Sequence, residues 1–258
     1  MISPPPGVFI TGASSGLGSA LARQYAVRGA VLGLAARRGD ALEALAAELP
    51  VTCLVYPLDV TDAAALAAAG ADFVARAGVP AVVIANAGIS LGTLTEEAAD
   101  LQAFARVMQA NVLGMVHTFH PFVAAMKQAG TGRLVGISSV AGVRGMPGAG
   151  AYCASKAAVS TYLESLRVEL RGSGVGVTNI VPGYIATPMT AVNRYPMPFI
   201  LSAGEAARRI VRQIDRGASH AVVPWQMAVA AKLLRMLPDP LFDRLFARAE
   251  RKRRGLPL

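Results

Sequence analysis

Short, continuously apolar segments alternate with longer Ala-, Leu- and Arg-rich segments along most of the chain. Apolar strands without polar alternation are typical of parallel sheets whose two faces are covered by helices. We predict strands at Val8–Thr11, Val31–Ala35, Val51–Pro57, Ala81–Ala85, Arg133–Ser138, Gly176–Val181 and Ala221–Val223. We predict helices at Leu17–Arg28, Ala41–Leu49, Ala63–Arg76, Ala98–Gln128, Ala151–Arg171 and Glu205–Arg216. The predicted fold is a single doubly wound α/β domain over residues 1–258, with about seven parallel strands and helices on both faces.

Positive charge is concentrated at the end of the chain. The net formal charge is +9, and residues 208–258 contain 12 Lys/Arg against 4 Asp/Glu, whereas the preceding residues contain 13 against 12. A uniform nucleic-acid-binding surface would not have this distribution, so no nucleic-acid partner is predicted.

Cysteine content and hydropathy indicate where in the cell the protein is expected to be. Cys53 and Cys153 have neither metal-ligand spacing nor the pattern of a disulfide framework, so we predict no metal site and reduced thiols. The first residues lack a signal-peptide pattern, and no uncharged run reaches about 18 residues. We therefore expect a cytoplasmic protein.

A glycine-rich turn follows the first predicted strand and opens a helix: Thr11-Gly12-Ala13-Ser14-Ser15-Gly16-Leu17-Gly18. Glycines permit positive φ and a close backbone approach to a pyrophosphate, while the helix N-terminus attracts phosphate. The alternative is a tight turn without a ligand. The predicted cofactor contacts here are Gly12, Ser14, Ser15, Gly16, Leu17 and Gly18.

The end of the second strand distinguishes between nicotinamide cofactors. NAD-binding sheets usually place an acid there for the ribose 2′-hydroxyl, but this chain has Arg37 and Arg38, whose guanidinium groups match a 2′-phosphate. We predict NADP(H), with NAD(H) less favoured; the alternative is a solvated arginine pair. Asp59, followed by Val60, is placed to accept from the adenine amino group. The segment Asn86-Ala87-Gly88 is expected to lie against the adenine ribose or to brace the sheet.

Tyr152 and Lys156 are four residues apart on a predicted helix and therefore point the same way. An ammonium about 5 Å from a phenol contributes roughly 3 kcal/mol, or about two pKa units, toward ionisation. Oxidised nicotinamide adds a second positive charge, so the phenol can approach the neutral range in which proton transfer is efficient. Ser139 follows a strand and is placed to donate to a substrate oxygen. An ordinary amphipathic pair is the alternative for the two helical residues.

In this order, the motifs resemble those of the short-chain dehydrogenase/reductase family over roughly residues 7–190. They are the turn at 11–18, Asp59, Asn86-Ala87-Gly88, Ser139, Tyr152-x-x-x-Lys156 and Pro182-Gly183-x-x-x-Thr187. Ala85 departs from the second asparagine of many members. The resemblance implies a Rossmann-type fold and hydride transfer between NADP(H) and an alcohol or carbonyl group.

The resemblance also implies residue roles. Tyr152 is the general acid in reduction and the general base in oxidation, Lys156 lowers its pKa and binds the nicotinamide ribose, and Ser139 polarises the carbonyl. Asn111 matches an asparagine that supports a water linked to the lysine. The nicotinamide is positioned by Pro182, Gly183, Ile185 and Thr187. A homodimer or homotetramer is implied, and a non-catalytic NADP-binding regulator and same-site elimination or epimerisation are the alternatives.

Two segments interrupt the alternation. Residues 188–205 resemble the family's substrate loop, and Met189, Met197, Phe199 and Ile200 suggest an apolar lining and a hydrophobic substrate; packing of the loop on its own core is the alternative. The pattern of residues 225–258 indicates an amphipathic helical extension with Leu241, Phe242, Leu245 and Phe246 on one face. Such an extension fits peripheral membrane contact, a subunit interface or closure of the substrate cleft.

Overall fold

The computed structural model describes residues 6–193 and 195–255. Its strands are β1 (Gly7–Thr11), β2 (Val31–Ala36), β3 (Cys53–Pro57), β4 (Val82–Ala85), β5 (Gly132–Ile137), β6 (Val175–Pro182), β7 (Ile185–Ala186), β8 (Leu201–Ser202) and β9 (His220–Val223). In this part of the chain, a seven-stranded sheet has the order β3-β2-β1-β4-β5-β6-β9 and every neighbouring pair is parallel. The predicted fold class is confirmed, and each predicted strand shifts by no more than two residues at either end.

Helices cover both faces of the sheet. They are α1 (Gly16–Ala26), α2 (Gly39–Glu48), α3 (Ala63–Ala77), α4 (Asp100–Met108), α5 (Gly114–Ala129), α6 (Gly150–Glu169), α7 (Pro188–Ala191), α8 (Ala203–Asp215), α9 (Trp225–Met236) and α10 (Asp239–Phe246). On one face, α1 packs against α8, and on the other, α3 packs against α5. None of the described helices is both long and apolar enough to cross a bilayer.

An aromatic cluster fills the core on the α3/α5 face. Phe9 of β1 lies 5.6 Å from Phe73 of α3 and 4.9 Å from Phe122 of α5, measured between ring centroids, and all three side chains are fully buried. Gly33 of β2 has no side chain because a Cβ there would lie 2.5 Å from the Phe9 ring. This dense packing holds β1 in a fixed position in the sheet and hence positions the turn that follows it.

The helix predicted at Ala98–Gln128 is divided by a π-helical segment at Gln109–Leu113 between α4 and α5. Single π-helical turns inside α-helices are frequent at functional sites. This one contains Asn111, whose side chain is buried and hydrogen-bonded outside the helix.

Parallel strands bring all their carboxyl ends to one edge of the sheet. The chain crosses from one side of the sheet to the other between β1 and β4, which are neighbours in space. Ligands of open α/β sheets bind outside the strand ends at such a switch point. The glycine turn after β1 and the segment after β4 meet there.

Candidate active site

A cavity of about 880 Å³ opens at this edge. Of the residues predicted as site residues, those that line it are Gly12, Ser14, Ser15, Gly16, Leu17, Arg37, Arg38, Asp59, Val60, Asn86, Ala87, Gly88, Ser139, Tyr152, Lys156, Pro182, Gly183, Ile185 and Thr187. Gly18 and Asn111 are not in the lining. Ser138, which ends a predicted strand, and Arg106 of α4 line the cavity as well. Arg106 was not singled out in the sequence, since it belongs to no recognisable motif there.

The glycine turn has the backbone geometry expected of a phosphate cradle. Gly12 and Gly16 have φ values of +69° and +57°, in the left-handed region that favours glycine. Gly18 supports the turn from behind, because a Cβ there would lie 2.1 Å from the Gly12 carbonyl oxygen. The Asn86 side-chain amide donates to the carbonyl oxygens of Thr11 and Gly12 at 3.0 and 3.2 Å, so Asn86 braces the turn.

Arg37 and Arg38 are exposed at the rim of the cavity next to this turn. The Arg38 guanidinium lies 3.2 Å from the Ser14 hydroxyl oxygen and 3.3 Å from the Ser14 carbonyl oxygen. Asp59 accepts hydrogen bonds on Oδ1 from the Thr61 backbone N–H and hydroxyl, each at 2.9 Å. The cradle and its flanking guanidinium groups fit the phosphates of a dinucleotide.

Lys156 is buried beneath the catalytic end of the cavity. Its Nζ donates to the Ile137 carbonyl oxygen at 2.9 Å and lies 5.7 Å from the centroid of the Tyr152 ring. The Ser138 hydroxyl donates to the Lys156 carbonyl oxygen at 2.9 Å, which ties α6 to the end of β5. Ser139 begins the short turn that follows β5, and its oxygen accepts from the Ala141 backbone N–H at 3.2 Å.

The pKa of Tyr152 corrects one expectation from the sequence. In the chain alone burial raises the pKa of this phenol, although a hydrogen bond with Ser139 lowers it in part, and Lys156 does not reverse the direction. Burial also lowers the pKa of Lys156 to about 8. Desolvation disfavours both the Tyr152 phenolate and the Lys156 ammonium. The spacing of the two residues in the sequence does not show how deeply they are buried.

Asn111 joins three parts of the site although it is outside the cavity lining. Its Oδ1 accepts from the Ile89 backbone N–H at 2.7 Å, and its Nδ2 donates to the Ile89 carbonyl oxygen at 3.0 Å and to the Ser155 hydroxyl at 2.9 Å. A Cβ on Gly88 would lie 2.9 Å from Asn111 Oδ1 and 3.7 Å from Lys156 Nζ. The asparagine thus fixes the segment after β4 against α6 beside the lysine.

The substrate loop contributes less apolar lining than predicted. Met189 lines the cavity, but Met197, Phe199 and Ile200 do not, and Phe199 is 54% exposed. The pairing of β7 with β8 ties the two ends of the loop together, with Ile185 opposite Leu201. This pairing holds the two ends of the loop side by side. Phe199 and Ile200 are exposed at the surface, and Met197 is half-buried. Arg194, which the loop also contains, lies outside the described residues.

The C-terminal extension contains two helices, α9 and α10, and packs against the loop that follows β5. Arg144, from the loop after β5, donates to the Leu234 carbonyl oxygen at 2.8 Å, to the Leu237 carbonyl oxygen and to Asp239. Its guanidinium also lies 3.9 Å from the centroid of the Phe242 ring. The extension is therefore fastened to the loop that follows Ser139.

The predicted apolar face of α10 is only partly covered. Phe242 is buried against the body of the protein, whereas Leu241 and Leu245 are exposed. The reason is that Arg144 holds the helix by its Phe242 side, a contact across 98 positions that helical periodicity cannot contain. On α9, Trp225, Val229 and Leu233 are also exposed, so a stripe of apolar side chains remains on the outer surface of the two helices.

Comparison with known proteins agrees with this geometry. The profile of the family described as short chain dehydrogenase matches residues 7–197. An uncharacterized oxidoreductase of Myxococcus xanthus is 42% identical over 238 residues, which cover 91% of this chain and 94% of that protein. A short-chain dehydrogenase from Sphingobium yanoikuyae, solved in complex with NADPH, has a TM-score of 0.77 and 28% identity, and the alignment covers 91% of this chain and 97% of that one.

A second solved structure bears on the fold alone. It is a short chain dehydrogenase/reductase from Burkholderia phymatum in complex with NAD, with a TM-score of 0.83, 24% identity and coverage of 99% of each chain. The matched family profile begins before the glycine turn and ends after Thr187, so it includes all the residues predicted to bind cofactor or to act in catalysis. The chain therefore belongs to the short-chain dehydrogenase/reductase family of oxidoreductases, which use a nicotinamide cofactor.

Proposed function

We propose that residues 1–258 form one oxidoreductase domain that transfers a hydride between NADP(H) and the carbonyl or alcohol group of a substrate with a largely apolar body. The observation that carries this proposal is the convergence of the glycine cradle, Ser139, Tyr152 and Lys156 on one cavity. The bound nicotinamide supplies or accepts the hydride. An apolar body is supported by Met189, which lines the substrate end of the cavity.

The roles of the chain's own residues follow from their positions. The Tyr152 hydroxyl gives its proton to the carbonyl oxygen in reduction and takes the hydroxyl proton in oxidation. Because the pKa of Tyr152 is raised in the chain alone, the phenol is protonated and ready for reduction at neutral pH. Ser139 donates to the same substrate oxygen and orients it. Lys156 holds the nicotinamide ribose and supplies positive charge beneath the phenol.

The reaction class is tested by the oxidation of NADPH, followed at its absorbance band, in the presence of a panel of apolar ketones and aldehydes. The matching alcohols are assayed with NADP⁺. We expect turnover with at least one member of the panel in each direction. Binding of NADPH without turnover of any member would favour a non-catalytic regulator instead.

A preference for NADP(H) is proposed from Arg37 and Arg38. Charge-assisted hydrogen bonds contribute about 1.5–3 kcal/mol, so the variant Arg38→Ala is expected to raise the Kd for NADPH by about tenfold or more. The Kd for NADH should stay the same, because NADH has no 2′-phosphate. Fluorescence titration of both cofactors measures the two constants. Arg171→Ala, which removes an exposed charge just beyond α6, is the control.

Equal affinity of the unmodified protein for NADPH and NADH would contradict the preference. A loss of affinity for both cofactors in Arg38→Ala would instead assign the side chain to the turn itself, through its contact with Ser14.

We also propose that the protein is cytoplasmic and that the exposed apolar stripe on α9 and α10 makes a peripheral membrane contact. The exposed fractions of Leu241 and Leu245 are 47% and 61%, and Arg244 and Arg248 are exposed beside them. Apolar side chains flanked by arginines fit an anionic bilayer surface. The double variant Leu241→Ser/Leu245→Ser is expected to abolish co-sedimentation with phosphatidylserine-containing vesicles, and Val168→Ser is the control for an exposed apolar residue elsewhere.

A homodimer or homotetramer is proposed from the family resemblance, and the same variants separate it from membrane contact. If the unmodified protein does not sediment with vesicles, and the double variant dissociates in equilibrium sedimentation, the stripe is a subunit interface.

Exposed Leu101, Phe104 and Leu113 provide a second apolar surface, on α4 and the π-helical segment, for contact between subunits.

A further inference from the structure

The segment that follows α10 returns across the mouth of the active site. The Gly92 backbone N–H donates to the Arg253 carbonyl oxygen at 2.9 Å, and Arg254 forms ion pairs with Asp100 at 2.6 Å and with Glu97 at 3.1 Å. These contacts join the segment to the stretch between β4 and α4. Asp100 is buried, so the ion pair with Arg254 is not a freely solvated surface pair. The end of the described chain is therefore held in place.

Two glycines make room for the segment. A Cβ on Gly92 would lie 2.2 Å from the Lys252 carbonyl oxygen, and a Cβ on Gly148, which has a φ of +71°, would lie 2.8 Å from Arg251 Cβ. The backbone of the segment thus passes closely over both the stretch after β4 and the loop that leads into α6. Any residue with a side chain at Gly92 would lift the segment from the site.

This placement brings one cationic side chain beside Tyr152. Lys252 does not line the large cavity itself but, with Tyr195 of the substrate loop, lines a small cavity of about 20 Å³. Lys252 Nζ lies 5.2 Å from the centroid of the Tyr152 ring and hydrogen-bonds the Ser90 hydroxyl. It also faces the buried thiol of Cys153, and Tyr195 of the substrate loop faces Tyr152 and the same thiol. Arg251 and Arg253, on either side, are exposed.

Among the described residues, no Asp or Glu side chain forms an ion pair with Lys252, whose side chain hydrogen-bonds only Ser90. A cation that is partly removed from water gains stability from an opposite charge, and without one burial lowers its pKa, as it does for Lys252. The phosphates of a nicotinamide cofactor do not supply it, since their cradle is at the glycine turn and Arg38, whereas Lys252 approaches Tyr152 beside the substrate loop. The group that compensates the ammonium is therefore expected on the substrate.

We propose that Lys252 is a specificity-determining residue that binds an anionic group, of the carboxylate class, on the carbonyl or alcohol substrate reacting at Tyr152. The proposal rests on the function proposed above and narrows its substrate class to an apolar body with a terminal negative charge. A chain segment 100 residues beyond Tyr152 thus contributes to the substrate pocket.

The test uses hexanal and its ω-carboxylated counterpart as a matched pair of substrates for the full chain with NADPH. The unmodified protein is expected to have a lower KM for the carboxylated aldehyde. Lys252→Met should raise that KM by about tenfold or more, the value of one charge-assisted contact, and so remove the difference in KM between the two aldehydes. Lys252→Arg should keep the preference. Arg253→Met, which removes an adjacent exposed charge, should not change it.

The pH dependence separates recognition of charge from a purely structural role. Burial lowers the pKa of Lys252 to about 8, and the titratable side chains facing it are the Tyr152 phenol and the Cys153 thiol. Anion binding needs the protonated ammonium, so the preference for the carboxylated aldehyde is expected below about pH 8 and should decline above it. In Lys252→Arg the preference should persist at alkaline pH.

A binding measurement tests the anion site independently of the proposed redox reaction. The ω-hydroxy acid of the same length is titrated calorimetrically into the protein–NADPH complex of the unmodified chain and of Lys252→Met. Equal affinity in the two proteins overturns the role of Lys252, whether or not either aldehyde is turned over. If neither aldehyde oxidises NADPH but Lys252→Met weakens binding, the reaction is wrong and the anion site stands. If ending the chain after Ala249 accelerates both aldehydes equally, the segment is an occluding plug and the proposal is overturned.

Discussion

Replacing Tyr152 with phenylalanine is expected to lower kcat/KM for carbonyl reduction by about 10²–10⁴-fold, the usual contribution of a positioned proton donor. Phenylalanine keeps the ring that lies 5.7 Å from Lys156 Nζ and 5.2 Å from Lys252 Nζ, so packing and both cation–ring contacts are retained. The loss is confined to the hydroxyl, which would otherwise share its proton with the substrate oxygen. Steady-state kinetics and NADPH fluorescence titration measure the two effects separately, and the Kd for NADPH should be unchanged.

Tyr162→Phe provides the matched control, because Tyr162 lies on the same helix, α6, and packs against the core rather than the cavity. It should keep normal turnover. Near-normal turnover in Tyr152→Phe would refute the proton-transfer role, whatever the behaviour of the control.

The sheet could be predicted because its information is local. Each buried strand is a continuous apolar run, as in Val31–Ala36, and burial on both faces selects parallel pairing. The gathering of the site residues could be predicted for the same reason. Motifs that follow β1, β4 and β5 in sequence must meet at one edge of a parallel sheet, and the structure brings Gly12, Asn86 and Ser139 to the same cavity there.

What the sequence could not predict depends on burial and on contacts between distant segments. The raised pKa of Tyr152 results from desolvation, which the four-residue spacing to Lys156 does not encode. The orientation of α10 depends on Arg144, and the position of Lys252 depends on Gly92 and Gly148, each about 100 residues or more away in the chain. From the sequence alone, a basic tail is expected to be solvated or to face a membrane. Its contacts with distant segments appear only in the structure.

Asn111→Ala is expected to lower the free energy of unfolding by about 3 kcal/mol, because unpaired buried polar groups cost about 1–3 kcal/mol each. The substitution leaves the Ile89 N–H and carbonyl oxygen without the side chain that binds both. It also removes the donor to the Ser155 oxygen, whose own hydroxyl still donates to the Tyr152 carbonyl oxygen. The midpoint of urea denaturation measures the change. Because the segment after β4 is then no longer fixed against α6 near Lys156, kcat should also fall, by about 100-fold for a misplacement of 1 Å.

Ser155→Ala is the graded control for Asn111. It removes one partner of Nδ2 but leaves both contacts with Ile89, so its loss of stability and of kcat should each be clearly smaller. Activity is measured well below the unfolding midpoint of each variant, so that a reduced folded fraction cannot imitate a loss of kcat. If Asn111→Ala were destabilised but kept its kcat per folded molecule, the π-helical turn would serve only to join two structural segments, and its position beside Lys156 would have no catalytic consequence.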